Sequence, residues 1–234
     1  MNVLVISAHP DDMEIFCGGT LLRCKKRGDN VTVCHFANGN MGHVVIKPEE
    51  LGPMRAAEAE KACELGGFKS ITCDIGDLHV NAADKSQHDK IVKVIRDAAP
   101  DFIITQGPDD YMGDHTELST LVFKASFAAS VPQYEPQLGP ACDVTPIYYM
   151  DNEVLLGGDP TEYVDISDEM ETKLQMLSFH KSQLTWLEDH DGVDVLETTK
   201  VFSRMRGIQC GVMYAEGYRA INVGQRMTTK RLLP

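Results

Sequence analysis

The first 130 residues alternate between short apolar runs and longer helical segments, and this alternation constrains the fold more than any other feature. A strand that is followed by a helix and another strand forms a parallel sheet with right-handed crossovers. The continuous apolar run at 3–8 is typical of a strand that is covered on both faces. We therefore predict an α/β fold with a mostly parallel sheet. Strands are predicted at 3–8, 31–37, 70–75 and 101–106, and helices at 12–27, 48–65, 85–98 and 114–130.

The second half of the chain gives fewer periodic signals. Residues 131–146 are rich in Pro and lack periodicity, which predicts a loop. Because no repeat, low-complexity tract or linker divides the 234 residues, we expect a single domain over 1–234. Further strands are predicted at 147–150 and 163–166, a helix from the capping residue Ser167 to 177, and a short helix within 211–220.

Composition excludes several classes of function. The formal net charge of -13 disfavours nucleic acid and anionic membranes as partners, since both are bound mainly through Lys and Arg. No apolar run is long enough for a transmembrane helix, and no basic region precedes the first apolar run. We expect a cytoplasmic protein. Seven cysteines without a CxxC pair argue against a disulfide framework or a zinc site built from cysteine.

Three polar loops follow predicted strands, at residues 9–12, 37–40 and 107–115. Ligands of parallel α/β sheets bind beyond the carboxyl ends of the strands, so these loops can face one pocket. His9 and Asp12 are three residues apart across a predicted strand-to-helix turn. His115 offers a second imidazole from another loop. Three protein ligands with an open fourth position are typical of catalytic zinc. The alternative from spacing alone is that Asp12 only caps a helix.

Several short motifs of the chain occur in the same order as in one enzyme family. They are His9-Pro10-Asp11-Asp12, Asn38-Gly39, Arg55-Ala56-Ala57-Glu58, Pro100-Asp101, Asp114-His115, Lys173 with His180-Lys181-Ser182-Gln183, and Tyr214-Ala215-Glu216. With the first of them directly after an amino-terminal apolar strand, the sequence resembles the LmbE-like, or PIG-L, family of zinc-dependent N-deacetylases. The resemblance covers most of the chain.

The resemblance implies a Rossmann-like three-layer α/β/α fold and a specific chemistry. His9, Asp12 and His115 match the residues that hold one zinc ion in the family. Asp11 matches the general base, which acts on a zinc-activated water. The implied reaction removes an acetyl or other acyl group from the nitrogen of an N-acetylglucosaminyl-type compound. By analogy, the partners are a small-molecule substrate and further copies of the chain in a trimer or hexamer.

Four other residues are predicted at the substrate or the ligands: Asn38, Arg55, His180 and Asp114. Arg55 can hold a substrate group or form an ion pair with Glu58 on the same helix. His180 can contact substrate or serve as a packed or capping histidine. Asp114 precedes a ligand, so it can orient that ligand or cap a helix.

Met112 departs from the family pattern. The family's HxDH motif has a histidine here that stabilises the oxyanion, whereas a thioether cannot donate a hydrogen bond. We expect Met112 to lie at the substrate, with His43 or His180 as a relocated donor, or the metal alone stabilising the oxyanion. The departure keeps two alternatives open: an amide hydrolase with a non-sugar substrate, and a metal-binding protein with weak catalysis.

Overall fold

All seven strands join one mixed sheet in the computed structural model, which describes residues 1–234. The strands are β1 (Asn2–Ser7), β2 (Asn30–Ala37), β3 (Lys69–Ile75), β4 (Phe102–Thr105), β5 (Ile147–Met150), β6 (Glu162–Asp165) and β7 (Ala215–Ala220). Their order is β3-β2-β1-β4-β5-β7-β6, with β1 to β5 parallel and β7 antiparallel to both of its neighbours. The prediction of a mostly parallel α/β sheet is confirmed.

Helices cover both faces of this sheet and make three layers. They are α1 (Asp12–Phe16), α2 (Gly18–Arg27), α3 (Pro48–Gly66), α4 (Lys85–Ala98), α5 (Gly113–Ala128), α6 (Met170–Leu177), α7 (Lys181–Asp191) and α8 (Val195–Cys210). Val3 and Val5 of β1 point into the core that contains α1, α2 and α6. Leu4 and Ile6 point into the core under α4 and α5. Because β1 buries both of its faces, its residues 3–6 are all apolar.

The predicted helix at 12–27 is in fact two helices that are interrupted at Cys17, where φ is -143°. The carboxylate of Glu216 accepts hydrogen bonds from the backbone N–H groups of Gly19 and Thr20 at 2.9 and 2.7 Å, and so caps α2. A Cβ atom on Gly19 would lie 2.7 Å from Ile166. The break therefore depends on contacts with distant segments, which local periodicity does not show.

The short helix predicted within 211–220 is wrong, because residues 215–220 form β7 between β5 and β6. Helices α7 and α8 had no predicted counterpart. The helix expected from Ser167 begins at Met170, since the Ser167 hydroxyl donates to Asp165 at 2.6 Å. The loop predicted at 131–146 contains only a short 3-10 turn.

The carboxyl ends of β1 and β4 lie side by side, with Ile6 opposite Thr105. From β1 the chain crosses to β2 on one side, and β4 lies on the other side, which opens a crevice between the two connections. The loops at 9–12 and 106–115 enter this crevice. No helix of the structure has the length and apolarity that crossing a membrane requires.

Candidate metal and catalytic site

His9, Asp12 and His115 converge in the crevice and are all buried. His115 Nε2 lies 3.2 Å from His9 Nδ1 and 3.5 Å from Asp12 Oδ1, and His9 Nδ1 lies 3.8 Å from Asp12 Oδ2. Ligand atoms about 2.1 Å from a tetrahedral zinc ion are about 3.4 Å apart. The spacing of the three side chains therefore fits one ion of this kind.

Carboxylates orient both imidazole rings. His9 Nε2 is 3.2 Å from Asp114 Oδ2, and His115 Nδ1 is 2.9 Å from Asp110 Oδ2. Because a carboxylate only accepts, these nitrogens carry the protons of the neutral rings. The other two nitrogens, His9 Nδ1 and His115 Nε2, then point lone pairs at each other, an arrangement that a shared cation stabilises. Carboxylate partners of this kind commonly fix the rings of metal-bound histidines.

The acidic surroundings also favour positive charge at this point. Burial disfavours a protonated His115, but the carboxylates of Asp12 and Asp110 outweigh burial and raise the pKa of His115 to about 9. Burial likewise opposes protonation of His9, yet Asp114 and Asp12 hold its pKa above the usual value. Either protons or a cation must balance these carboxylates, and the inward-facing nitrogens suit a divalent metal.

Gln106, at the end of β4, was not predicted from the sequence. Its side-chain amide donates to Asp12 Oδ2 at 2.8 Å, and the backbone N–H of His9 donates to the same oxygen at 2.7 Å. The other oxygen of Asp12 is the one nearest His115 Nε2. Gln106 therefore turns one carboxylate oxygen of Asp12 towards the ligand cluster.

Asp114 and Asp77 form a second group with His9, but their carboxylates bind backbone. Asp114 accepts from the N–H of Leu78 at 2.8 Å and makes no capping bond to α5. Asp77 accepts from the N–H groups of Gly39 and Met41 at 2.8 and 2.9 Å. Asp114 was expected to orient the adjacent His115 or to cap a helix, but its carboxylate contacts His9 instead, and Asp110 contacts His115. Asp77 holds the loop after β2 against the site.

Asp11 lies beside the ligands with a strained backbone at φ 108°. Its Oδ2 accepts from Arg55 Nη2 at 3.0 Å. Burial raises the pKa of Asp11 to about 6, although the Arg55 guanidinium opposes the shift. A carboxylate with this pKa is ionised at neutral pH and is a better proton acceptor than an ordinary Asp, as general-base catalysis requires.

Arg55 does not pair with Glu58, the alternative that spacing left open. Glu58 instead accepts from the backbone N–H and the hydroxyl of Ser182 at 2.9 and 2.6 Å. Arg55 is buried and donates to Asp11 and to the carbonyl groups of Pro10 and Gly39. Its guanidinium therefore fixes the Asp11 carboxylate relative to the backbone of Pro10 and Gly39.

A cavity of about 300 Å³ opens over these residues. Arg55 and Met112, two of the residues predicted at the substrate, are on its wall together with Asp11 and the candidate ligands His9 and Asp12. His115 is buried and does not line the cavity. Gln183 also lines the cavity, and its buried Oε1 has no hydrogen-bond partner.

Asn38 and His180 are not on the cavity wall. Asn38 donates to Asp74 at 2.8 Å and accepts from the N–H of Asn40 at 3.2 Å, so it shapes the loop after β2. His180 is fully buried, with Nε2 3.1 Å from Glu14 Oε1. Burial disfavours its protonation, but Glu14 outweighs burial and raises its pKa. Both positions favour structural roles.

His43 is also outside the cavity lining. Its Nδ1 accepts from the N–H groups of Val45 and Ile46 at 3.0 and 3.1 Å, and its ring packs on Trp186. Neither His43 nor His180 therefore lines the cavity beside Met112, as a relocated hydrogen-bond donor would.

Comparison with known proteins agrees with this site. A family model described as PIG-L, GlcNAc-PI de-N-acetylase, matches residues 4–126. A diacetylchitobiose deacetylase from Thermococcus kodakarensis is 30% identical over 236 residues, which cover 94% of this chain and 83% of that protein. The chain belongs to the PIG-L family. It is an enzyme of the deacetylase class, the amide hydrolases of this family.

Other PIG-L relatives carry the same kind of name. A 1D-myo-inositol 2-acetamido-2-deoxy-alpha-D-glucopyranoside deacetylase from Nocardioides sp. is 29% identical over 187 residues, 63% of this chain and 61% of that protein. Among solved structures, N,N'-diacetylchitobiose deacetylase from Pyrococcus horikoshii has a TM-score of 0.81 at 24% identity, with 94% of this chain and 83% of that chain covered. The predicted PIG-L fold is confirmed.

One similar structure has a different activity in its name. The 4-carboxy-2-hydroxymuconate hydratase from Pseudomonas putida KT2440 has a TM-score of 0.84 at 22% identity, covering 99% of this chain and 100% of that chain. At this identity the likeness concerns the fold. The reaction of a PIG-L protein must therefore be argued from its site.

Proposed function

We propose that this chain is a metal-dependent N-deacetylase that removes an acetyl group from the nitrogen of an N-acetylglucosaminyl-type compound. One observation carries the proposal. The two inward-facing imidazole nitrogens and the Asp12 carboxylate meet beside the Asp11 carboxylate, in a cavity that is large enough for an amino sugar. This set combines three ligands for one ion with a separate base.

His9, Asp12 and His115 would hold the ion, for which we propose zinc because two imidazoles and a carboxylate suit it. When bound, zinc supplies a Lewis acid for the amide carbonyl and for the attacking water. Asp114, Asp110 and Gln106 keep the three ligands in place. The chain thus arranges the site before any substrate enters.

Asp11 performs the proton transfers of the proposed reaction. Its carboxylate takes a proton from the water as the water oxygen attacks the carbonyl carbon. It then gives that proton to the nitrogen as the carbon–nitrogen bond breaks, which yields acetate and a free amine. Arg55 binds Oδ2 of Asp11 and so limits the orientations of the carboxylate.

The names of the relatives support an amino sugar as the substrate class, since the relatives from Thermococcus and Nocardioides are named for N-acetylated sugars. Met112 on the cavity wall leaves the non-sugar amide alternative in place. Zinc as the ion, a single domain over 1–234, a cytoplasmic location and a homo-oligomer stay predictions.

Acetate release tests the proposal. The purified chain should release acetate from N,N'-diacetylchitobiose or N-acetylglucosamine, lose this activity in a chelator and regain it with zinc. The His9→Ala variant is the matched control and should release none. A zinc-loaded wild type that releases no acetate from any N-acetylated sugar would instead support the weakly catalytic metal-binding alternative.

A further inference from the structure

Ionisable and apolar side chains both line the cavity. The apolar ones come from several separate parts of the chain, among them the loop after β2, the loop after β3, the segment before α5, and the helices α7 and α8. Met41, Leu78, Met112, Leu187 and Val195 are called here the apolar wall. A substrate that was polar on all sides would leave this wall without a partner.

Apolar side chains are also unusually exposed where the cavity opens. Leu78 is 80% exposed, and Met41 is 49% exposed. The loop of Met41 continues into Val44 and Val45, which are 69% and 79% exposed. Exposed apolar side chains that cluster around a concave site mark recognition of an apolar group.

The backbone holds Leu78 in this exposed position. Its φ is 65°, a left-handed conformation that costs a leucine free energy. Its N–H donates to Asp114, the carboxylate that orients His9. The conformation is therefore tied to the catalytic site, and it keeps an apolar side chain at the opening.

Charge narrows the class of ligand further. Five carboxylates line the cavity, those of Asp11, Asp12, Asp77, Asp114 and Glu153. Arg55 is the one arginine or lysine on the wall, and it is paired with Asp11. The cavity thus disfavours anionic substituents such as phosphates.

We propose that the physiological substrate is an uncharged N-acyl amino sugar with an apolar substituent, which packs on Met41, Leu78 and Met112. This inference rests on the proposed function and names its substrate class. The substituent has two possible sources, an alkyl or aryl group on the sugar and an acyl chain longer than acetyl. Both present the same hydrocarbon surface to the wall.

Three compounds separate the sources. Methyl N-acetylglucosaminide is the reference, hexyl N-acetylglucosaminide extends the sugar side, and methyl N-hexanoylglucosaminide extends the acyl side. The wild type should hydrolyse at least one extended compound with a kcat/KM about tenfold or more above the reference. Burial of roughly 60 Å² of apolar surface is enough for this factor. Equal values for all three would overturn the inference.

Calorimetry measures binding of the same compounds separately from their hydrolysis. The zinc-loaded Asp11→Asn variant should bind the same extended compound about tenfold more tightly than the reference, whether or not the wild type turns either over. Tight binding without release of acetate or hexanoate would contradict the proposed function and support the apolar site. Hydrolysis with equal kcat/KM and equal Kd for the extended and reference compounds would support the proposed function and overturn the apolar site.

Polar substitutions in the apolar wall test whether its residues cause the preference for the extended compound. In the double variant Met41→Gln with Leu78→Asn, the ratio of extended to reference kcat/KM should fall close to one. Asn is chosen because it tolerates a positive φ. Ile208→Gln is the matched control, since Ile208 is 65% exposed on α8 but does not line the cavity, and it should keep the ratio. A preference that survives the double variant would overturn the assignment of these residues.

Discussion

Asp110 contacts His115, one of the three proposed metal ligands. Its carboxylate accepts from the Nδ1 of that ring at 2.9 Å and thereby points Nε2 at the other ligands. Asp110→Asn offers its amide where the carboxylate was and loses the charge that makes the ring basic. We expect zinc affinity to fall about 10- to 100-fold, as is usual for such partners. Titration with a competing chelator measures this.

The neighbouring Asp109 provides a matched control. It is more than half exposed and pairs with Arg219 at 3.2 Å instead of with a ligand. Asp109→Asn should leave zinc affinity within about twofold of the wild type. An equal fall in zinc affinity in both variants would show that the negative charge of the loop, and not the contact with His115, determines the zinc affinity.

Asp11 is predicted to be a base and not a ligand. Asn fits the same volume, still accepts a hydrogen bond from Arg55, and tolerates the positive φ at this position. Asp11→Asn should therefore fold normally and lose on the order of a hundredfold or more in kcat, because it cannot take the proton from water. A kcat within a few fold of the wild type would remove Asp11 from the mechanism.

From the sequence, a residue of the site could be predicted only where a metal-ligating or catalytic residue type also lies at the end of a predicted strand. His9, Asp12 and His115 are good ligands at strand ends, and the structure brings them together. Gln106 lies at a strand end too, but a glutamine is not a usual zinc ligand and gave no signal. Asn38 was predicted at the substrate because it follows β2, yet its side chain turns to Asp74. Side-chain direction in a loop depends on partners from other segments.

At the scale of elements, a buried ion pair joins α6, β7 and the start of α2. Lys173 is fully buried, and its Nζ donates to Glu216 at 2.7 Å, while Glu216 caps α2. Lys173→Met keeps the volume but leaves the Glu216 charge unpaired in the core. We expect the free energy of unfolding to fall by about 3–5 kcal/mol, the usual cost of breaking a buried pair. Urea unfolding followed by circular dichroism measures it.

Lys93→Met is the control for that experiment. Lys93 pairs with Asp97 on the exposed face of α4, where about half of each side chain is in solvent. Exposed pairs contribute about 0–1 kcal/mol, so the urea midpoint should barely change. A similar loss in both variants would contradict a structural role for the Lys173 pair.

The same elements show why prediction was better in the first half of the chain. There β1 is buried on both faces, and α2 and α3 end at the glycines Gly28 and Gly67. Helix α4 begins and ends where periodicity predicts, at 85 and 98. Strand β7 is different, because it alternates between glycine, charged and aromatic residues and is defined by pairing with β5 and β6. Pairing between distant segments leaves little trace in a local window.

At the scale of the whole molecule, the fold does not decide the reaction. A deacetylase and a hydratase match this chain with TM-scores of 0.81 and 0.84. What favours amide hydrolysis here is the combination of three residues spaced to hold a metal ion, the buried carboxylate of Asp11 and 30% identity to a deacetylase. The proposed reaction therefore depends on which side chains hold the ion and which one transfers the proton.

Metal content per chain distinguishes the proposed ligands from the proposed base. Elemental analysis after dialysis against excess zinc and then metal-free buffer should give one zinc per chain for the wild type and for Asp11→Asn. It should give close to none for His9→Ala, which lacks one of the three ligands. Full zinc content in His9→Ala, or loss of zinc in Asp11→Asn, would contradict the division between ligands and base.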